Sequence, residues 1–145
     1  MAVTKFLARD LVITIHDPSS GGSDVEIKGI NSLTHSPSST DAETSDFESA
    51  GHSEHMKAER GDSWTLAGHS LEDPVTGDKD PGQALVEALA LLVGPSSLGS
   101  FTITSPGGNT ITFTASAEVT LAGGANNDAA AWQAVLRVSG AMTFG

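Results

Sequence analysis

Residues 110–121, TITFTASAEVTL, alternate without interruption between apolar and polar side chains. Every second residue is apolar, and the residues between them are Thr, Ser or Glu. Because successive side chains of a β-strand point to opposite faces of a sheet, this run predicts one long strand with an apolar face and a hydroxyl-rich face. Such a strand covers a core on one side and meets water on the other.

Shorter runs with the same period predict further strands. Residues 11–16 and 25–33 are expected to pair as an early hairpin. Residues 101–104 are expected to turn at residues 106–109, PGGN, and to pair with the long strand. A last strand over residues 132–143 again alternates apolar and polar positions, so most of the predicted structure is sheet.

One segment is predicted to be helical. Asp80 is an N-cap candidate, Pro81 takes the first helical position, and Gln83 follows the cap at capping-box spacing. Gly94 and the proline after it end the helix. With about seven strands and this helix, we expect a mainly β fold, a β-sandwich or partly open barrel with one α-helix packed on the sheet. At 145 residues, we expect one domain spanning residues 1–145.

Composition and charge exclude several classes of function. The absence of cysteine excludes disulfides, thiolate zinc sites and thiol catalysis, and no run of apolar residues is long enough for a membrane span. Seven Lys and Arg against eighteen Asp and Glu give a formal net charge of −11. A protein that binds duplex DNA by neutralising phosphates needs a basic surface, which this chain lacks. The charge suits a conduit for nucleic acid better than a binder.

Residues 34–51, THSPSSTDAETSDFESAG, differ from the rest in being almost without apolar side chains. Such a segment cannot cover a core, so we expect a long polar loop, mobile in the monomer. Its carboxylates surround a single aromatic residue, which predicts a loop that orders against a partner with Phe47 as the anchor.

Residues 52–71 are predicted to form a second hairpin. Its arms would be residues 52–59 and 63–71, joined by a turn at Arg60-Gly61-Asp62. Both faces of the first arm are largely polar. A strand of this kind does not lie on a core, so it is expected to border a water-filled space or another subunit.

No constellation of residues predicts an enzyme. His52 and His55 would face opposite sides of a strand, so a metal site there is disfavoured, and the Arg60-Gly61-Asp62 tripeptide is better explained by a tight turn than by integrin binding. No nucleophile elbow or phosphate loop is present. Trp64 and Trp132 leave one alternative, a monomeric β-sandwich module that binds a ligand such as a carbohydrate on an exposed ring.

The order of these segments resembles that of the tail tube proteins, or major tail proteins, of long-tailed, non-contractile bacteriophages. The resemblance is carried by a charged hairpin (GHSEHMKAERGDSWTLAG), an apolar helix (DPGQALVEALALLVG), a Thr-rich hairpin (SFTITSPGGNTITFTASAEVTL) and a final strand (AAAWQAVLRVSGAMTFG). It covers nearly the whole chain, and its most specific part is the final strand with the helix upstream.

The resemblance implies a structural virion protein without a cofactor or a membrane. Hexameric rings would stack into a hollow tube through which DNA passes at ejection, with a tail tip or initiator, a tape measure protein and a tail terminator as partners. Assembly would take place in the cytoplasm of the host bacterium. The tube of a contractile tail or of a type VI-like secretion system shares the fold and is an alternative.

The resemblance also implies two sets of site residues. The loop between the early strands would reach an adjacent ring, and its candidates are His35, Asp41, Glu43, Asp46, Phe47 and Glu48. Polar strand faces would line the lumen, where excess acid repels phosphate. The lumen candidates are Glu26, Lys28, Glu54, Lys57, Glu59, Thr112, Thr114 and Glu118.

Overall fold

The computed structural model describes residues 3–19, 22–46, 48, 50–121 and 130–145. In these residues the chain forms one α-helix, α1 (Pro81–Ala90), and two short 3-10 helices, Ala8–Asp10 and Gly94–Ser97. The eight strands in the described ranges are β1 (Val12–His16), β2 (Asp24–Glu26), β3 (Ile30–Glu43), β4 (His55–His69), β5 (Gly99–Thr104), β6 (Thr110–Leu121), β7 (Ala131–Val138) and β8 (Thr143–Phe144). None of the described helices has the length and apolar character needed to cross a membrane.

All eight strands belong to one antiparallel sheet in the order β2-β1-β5-β6-β7-β4-β3, and β8 adds to β6. The long strand β6 joins the two halves, because it pairs with β5 from Thr110 to Ala115 and with β7 from Ala115 to Leu121. The predicted hairpins β1–β2 and β5–β6 are both present. The mainly β fold with a single helix on the sheet is therefore confirmed.

The core lies on one face of this sheet. Phe113 of β6 stacks on Phe101 of β5 at 5.6 Å between ring centroids, and on Trp64 of β4 at 5.9 Å. Because β4 is two strands away from β6, the sheet must curve for these rings to meet. The buried apolar residues include Ile13, Ile15, Ile27, Trp64, Leu66, Val86, Phe101, Ile103, Phe113, Trp132 and Leu136.

A short connection ties the two ends of the sheet together. The amide of Ile27 donates to the carbonyl of Ile13 on β1, while the carbonyl of Gly29 accepts from the amide of His69 on β4. The strand predicted to continue through these residues is instead interrupted. Gly29 has φ +81, a left-handed conformation that glycine adopts without strain, and it lets the chain leave one edge and join the other. The sheet is therefore a partly closed barrel.

Helix α1 covers the apolar face of the sheet. As predicted, Pro81 is its first residue and the Asp80 carboxylate caps it, accepting from the backbone amide of Gln83 at 3.1 Å. The Gln83 side chain, however, does not complete a capping box. It is buried, donates to the carbonyls of Lys28 and His69 at 2.8 Å each, and accepts from the amide of Leu71. Its amide therefore fastens the helix to the connection between the sheet ends.

The second predicted hairpin is wrong, and so is the loop prediction for residues 34–43. Strand β4 runs without a turn from His55 to His69, so Arg60, Gly61 and Asp62 lie within a strand. It pairs with β3 as far as Glu43, and the described residues between the two strands are 44–46, 48 and 50–54. The expectation assumed that a polar segment has no reason to become a strand, but a partner strand alone satisfies its backbone hydrogen bonds.

Candidate functional site

The side of the sheet opposite the core is a continuous polar surface, which we call the hydroxyl face. Directly paired residues of neighbouring strands point to the same side, so the strand register identifies its members. In one half of the sheet a row crosses β2, β1, β5 and β6, formed by Glu26, Thr14, Thr102 and Thr112.

The other half of the sheet continues the same face. Two rows cross β6, β7, β4 and β3 there. One consists of Ser116, Arg137, Ser63 and Ser36, and the other of Glu118, Val135, Thr65 and Thr34. The hydroxyl face therefore extends from the β2 edge to the β3 edge, and most of its members carry a hydroxyl group.

Short polar contacts connect parts of this face. The Thr14 hydroxyl donates to the carbonyl of Thr102 at 3.4 Å, and the hydroxyls of Thr102 and Thr112 lie 3.5 Å apart. Arg137 forms an ion pair with Glu118 at 3.1 Å, and both side chains are 65% exposed. Arg137 is the one cation on this face among the described strands, and Glu118 already offsets its charge. Apart from Val135, the side chains named on this face can hydrogen-bond water, and the face offers little to hold a phosphate.

The lumen candidates divide into two groups by position. Glu26, Thr112, Thr114 and Glu118 all lie on the hydroxyl face. Lys28 lies in the connection after β2, where its backbone amide donates to Asp80. Glu54 lies before β4, and Lys57 and Glu59 lie on the part of β4 that pairs with β3 and not with β7.

The second feature is a projecting hairpin. Strand β7 pairs with β4 only from Ser63 to His69, so the rest of β4 has β3 as its partner. We call residues 37–62 the ribbon, which comprises these two strands and the described residues that join them, 44–46, 48 and 50–54. Residues 41–59 contain six carboxylates against one lysine, close to half of the net charge of −11. The acidity of the chain is thus concentrated at the ribbon tip and is sparse on the hydroxyl face.

The candidates for the contact with an adjacent ring also separate. Asp41 and Glu43 lie on β3 in the outer part of the ribbon, and Asp46 and Glu48 lie in its turn. His35 lies just before the ribbon, on β3. Phe47 lies outside the described residues.

A polar cluster fixes the base of the ribbon. The His35 ring stacks on Trp64 at 4.6 Å between centroids, and its Nε2 lies 2.8 Å from the Asp62 carboxylate, which Arg60 also contacts at 3.2 Å. Burial tends to raise the pKa of Asp62, whose side chain is 6% exposed, but the hydrogen bonds from His35 and Arg60 outweigh it and lower the pKa. Sequence reasoning missed this cluster because its members come from two strands whose pairing leaves no local signal.

The structure does not support a sugar-binding platform. Trp64 is buried against Phe113 and His35, and Trp132 is buried with its indole nitrogen 3.2 Å from Glu87. Neither ring offers an open face for a ligand. Among the described residues there is also no group of three or more His, Cys, Asp or Glu able to hold a metal ion.

No protein-family model matches this chain, and no curated protein sequence matches it significantly. Solved structures do match it. A chain in the tail of an empty gene transfer agent particle, obtained with helical refinement and C6 symmetry, has a TM-score of 0.74 and 18% identity, covering 97% of this chain and 99% of that chain. A chain in the virion of the native gene transfer agent particle gives 0.68 and 16%, with the same coverage.

A third match comes from an extracellular contractile injection system. A chain in its sheath-tube complex in the extended state has a TM-score of 0.64 and 15% identity, covering 97% of this chain and 91% of that chain. Because these matches span nearly the full length on both sides, they concern the whole fold and not one motif. The chain thus has the fold of subunits found in tail and sheath-tube assemblies.

Proposed function

We propose that this protein is the subunit of a hollow tail tube in a phage-like particle, a structural role without a catalytic step. The observation that carries the proposal is the division of the sheet into two faces. One face buries the core under α1, and the other presents rows of hydroxyls with few charges across both halves of the sheet. A sheet that separates a hydrophobic core from a water-filled channel requires one apolar face and one polar face.

The subunits would form rings of six that stack into the tube. The C6 symmetry of the similar gene transfer agent tail supports this number. In such a ring the hydroxyl face would line the bore, with Thr112, Thr114 and Glu118 near its middle and Glu26 near one edge. Helix α1 lies against the opposite face, so it would lie on the outside.

DNA is the cargo that we propose for the bore. Binding to duplex DNA depends on cations that replace the counterions of phosphate. The described strands provide this face with one cation, Arg137, and Glu118 pairs with it. A lining of hydrated hydroxyls would let DNA pass without being retained. Its charge is lower than the composition suggested, because the ribbon holds much of the excess acid.

The ribbon would make the contact between rings. Its outer strands pair only with each other, so they contribute little to the core and are free to reach a neighbour. Asp41, Glu43, Asp46, Phe47 and Glu48 would belong to this contact, and His35 would hold the ribbon base in place. A tail tip or initiator, a tape measure protein and a tail terminator would meet the tube at its ends and in its bore.

The tube of a contractile system is the second candidate, and one surface feature favours it. Leu91 and Val93, just after α1, are 85% and 87% exposed in the single chain. These residues would lie outside the bore, where a sheath would cover them and a bare tube would leave them in water. Electron microscopy of native particles separates the two, because a sheath is directly visible around the tube.

Electron microscopy of the concentrated, purified protein tests the common part of the proposal. We expect rings and hollow tubes. In a matched variant, residues 38–61 are replaced by Asn-Gly, which closes the hairpin between the directly paired Pro37 and Asp62. This variant should fold and lose the stacked tubes. A wild-type protein that stays monomeric at every concentration, even with a tail initiator complex as a seed, would refute the proposal.

Cysteine labelling tests which face lines the bore, since the natural chain has no cysteine. Thr114→Cys places a thiol on the hydroxyl face, and Ala88→Cys places one on the exposed side of α1. In assembled tubes a maleimide on a large polymer should react with the helix thiol and be excluded from the other. In monomers both thiols should react. Equal reaction of both in tubes would contradict the assignment.

A further inference from the structure

We propose that the acidic ribbon tip of one copy docks into a cationic groove at the far end of β3 in the next copy. The inference rests on the proposed tube and deepens it, because it names the surface that receives the ribbon. Both halves of the contact come from this chain, so no other protein is needed to stack one ring on another.

The groove lies between the 3-10 helix Ala8–Asp10 and the start of β3. It has a volume of about 320 Å³. Arg9 and Lys28 line it with two exposed cationic side chains, together with apolar surface from Leu11, Ile30 and Leu33. Glu26 is the one carboxylate in the lining. The site thus combines positive charge with an apolar floor.

The two cations of the groove have no partner within the described part of the chain. Of the seven Lys and Arg residues, Arg60, Lys79 and Arg137 form ion pairs. Neither Arg9 nor Lys28 lies within ion-pair distance of any described carboxylate. In a chain with a net charge of −11, unpaired cations that share one groove indicate a surface that receives an acidic partner.

The ribbon tip supplies the complementary chemistry. Asp41 and Glu43 are exposed on its strand, and neither forms an ion pair among the described residues. Exposed carboxylates without an ion-pair partner are a suitable occupant for a groove with two cations on its rim.

The groove and the acidic tip lie at opposite ends of β3, so the same contact can repeat from one copy to the next. The groove is at the Ile30 end of the strand and the acidic tip follows its Glu43 end, so fourteen extended residues separate the two surfaces. At about 3.3 Å per residue this distance is about 45 Å. A contact between opposite ends of one molecule is heterologous, so each copy offers its groove to one neighbour and its tip to the next. Repetition of this contact extends a stack.

Charge reversal on both sides tests the contact. The groove variant carries Arg9→Glu with Lys28→Glu, and the ribbon variant carries Asp41→Lys with Glu43→Lys. Each should raise the protein concentration needed for half-maximal tube formation, measured by sedimentation, by on the order of tenfold. The variant with all four substitutions restores opposite charges at the exchanged positions, although four carboxylates remain in residues 41–59, so it should assemble at a lower concentration than the groove variant.

Two further variants serve as controls. Glu72→Lys with Asp78→Lys adds the same charge as the ribbon variant at exposed positions elsewhere and should leave assembly unchanged. Arg9→Gln with Lys28→Gln removes charge without repulsion, so it reports on the groove if the reversed pair fails to fold. Circular dichroism verifies the fold of every variant.

The outcomes distinguish this inference from the proposed function. Wild-type tubes with groove variants that assemble equally well would overturn the docking contact and leave the tube intact. Failure of the fourfold variant to recover while it stays folded would overturn it as well. Absence of wild-type tubes would refute the tube itself.

Discussion

The two halves of β4 form one continuous strand in two different environments. From Trp64 to Gly68, every second residue is buried, and the strand has β7 on one side and β3 on the other. From His55 to Arg60 every residue is exposed, and β3 is the only neighbour in the register. The inner half is stabilised by core packing and by two neighbouring strands, β3 and β7. The outer half is stabilised only by its backbone hydrogen bonds to β3.

The difference shows that secondary structure and burial are separate properties of this chain. The inner half of β4 contributes to the stability of the subunit, whereas the outer half exposes its side chains to solvent or to a neighbouring molecule. Substitutions in the inner half should therefore change folding, and substitutions in the outer half should change assembly and leave folding unaffected.

The largest effect should come from a charge placed in the inner half of β4. Leu66 is 0% exposed, so Leu66→Asp buries an unpaired carboxylate. Its cost is several kcal/mol, comparable with the whole stability of a small domain, and the chain should unfold. Met56→Asp is the matched change in the outer half, where the side chain is 60% exposed, and should shift stability by less than about 0.5 kcal/mol. Thermal unfolding followed by circular dichroism measures both, and equal effects would refute the division.

The next effect concerns the end of the inner half, where Gln83 binds the carbonyl of His69. Gln83→Leu leaves that carbonyl, the carbonyl of Lys28 and the amide of Leu71 without their partner. Unsatisfied buried groups are costly, so we expect a loss of about 3 kcal/mol in urea unfolding. Gln133→Leu, at an exposed position on β7, is the control and should be close to neutral. A neutral result for Gln83→Leu would show that water replaces the amide.

Asp62 marks the boundary between the halves and should have a smaller, pH-dependent effect. The pKa of Asp62 is lower in the folded chain than its ordinary value of 3.8, so its charge stabilises the fold above that value. This contribution is lost as the pH falls through the folded-state pKa. Asp62→Asn should cost about 1 kcal/mol at pH 6, and this cost should decrease as the pH is lowered below 3.8. A difference in melting temperature between the two proteins that stays constant as the pH is lowered would contradict this role.

The smallest effect should come from the ion pair on the hydroxyl face. Arg137 and Glu118 are well exposed, and exposed pairs of this kind contribute about 0–1 kcal/mol. Arg137→Gln and Glu118→Gln should each change stability by less than about 0.5 kcal/mol. A double-mutant cycle from urea unfolding gives the coupling energy. A coupling well above about 1 kcal/mol would mean that the pair is more than a surface contact.

The inner part of the fold could be predicted from the sequence because its signals are local. The alternation through Phe113 and Ala115 identifies β6, and Asp80 followed by Pro81 identifies the start of α1. These patterns depend on the periodicity of one segment or on a cap next to it, and both are visible without knowing what lies opposite.

The ribbon and the composition of the hydroxyl face could not be predicted in the same way. Residues 37–43 have no apolar period, and Arg60-Gly61-Asp62 has the composition of a turn, so only the register with the opposite strand makes them strands. Glu26 joins Thr112 in one row through two intervening strands, which depends on pairing between distant segments. The Gln83 side chain hydrogen-bonds the carbonyl of Lys28, which is distant in sequence, and not the backbone amide at the helix start. The local spacing of residues does not predict this partner.

Helical reconstruction by cryo-electron microscopy of tubes grown from the purified protein would show which face of the sheet lines the bore. We expect a hollow tube with Thr112, Thr114 and Glu118 exposed in the bore, α1 on the outside and each ribbon in contact with the next ring. A reconstruction in which α1 faces the bore, or in which those three residues are buried between subunits, would contradict this arrangement.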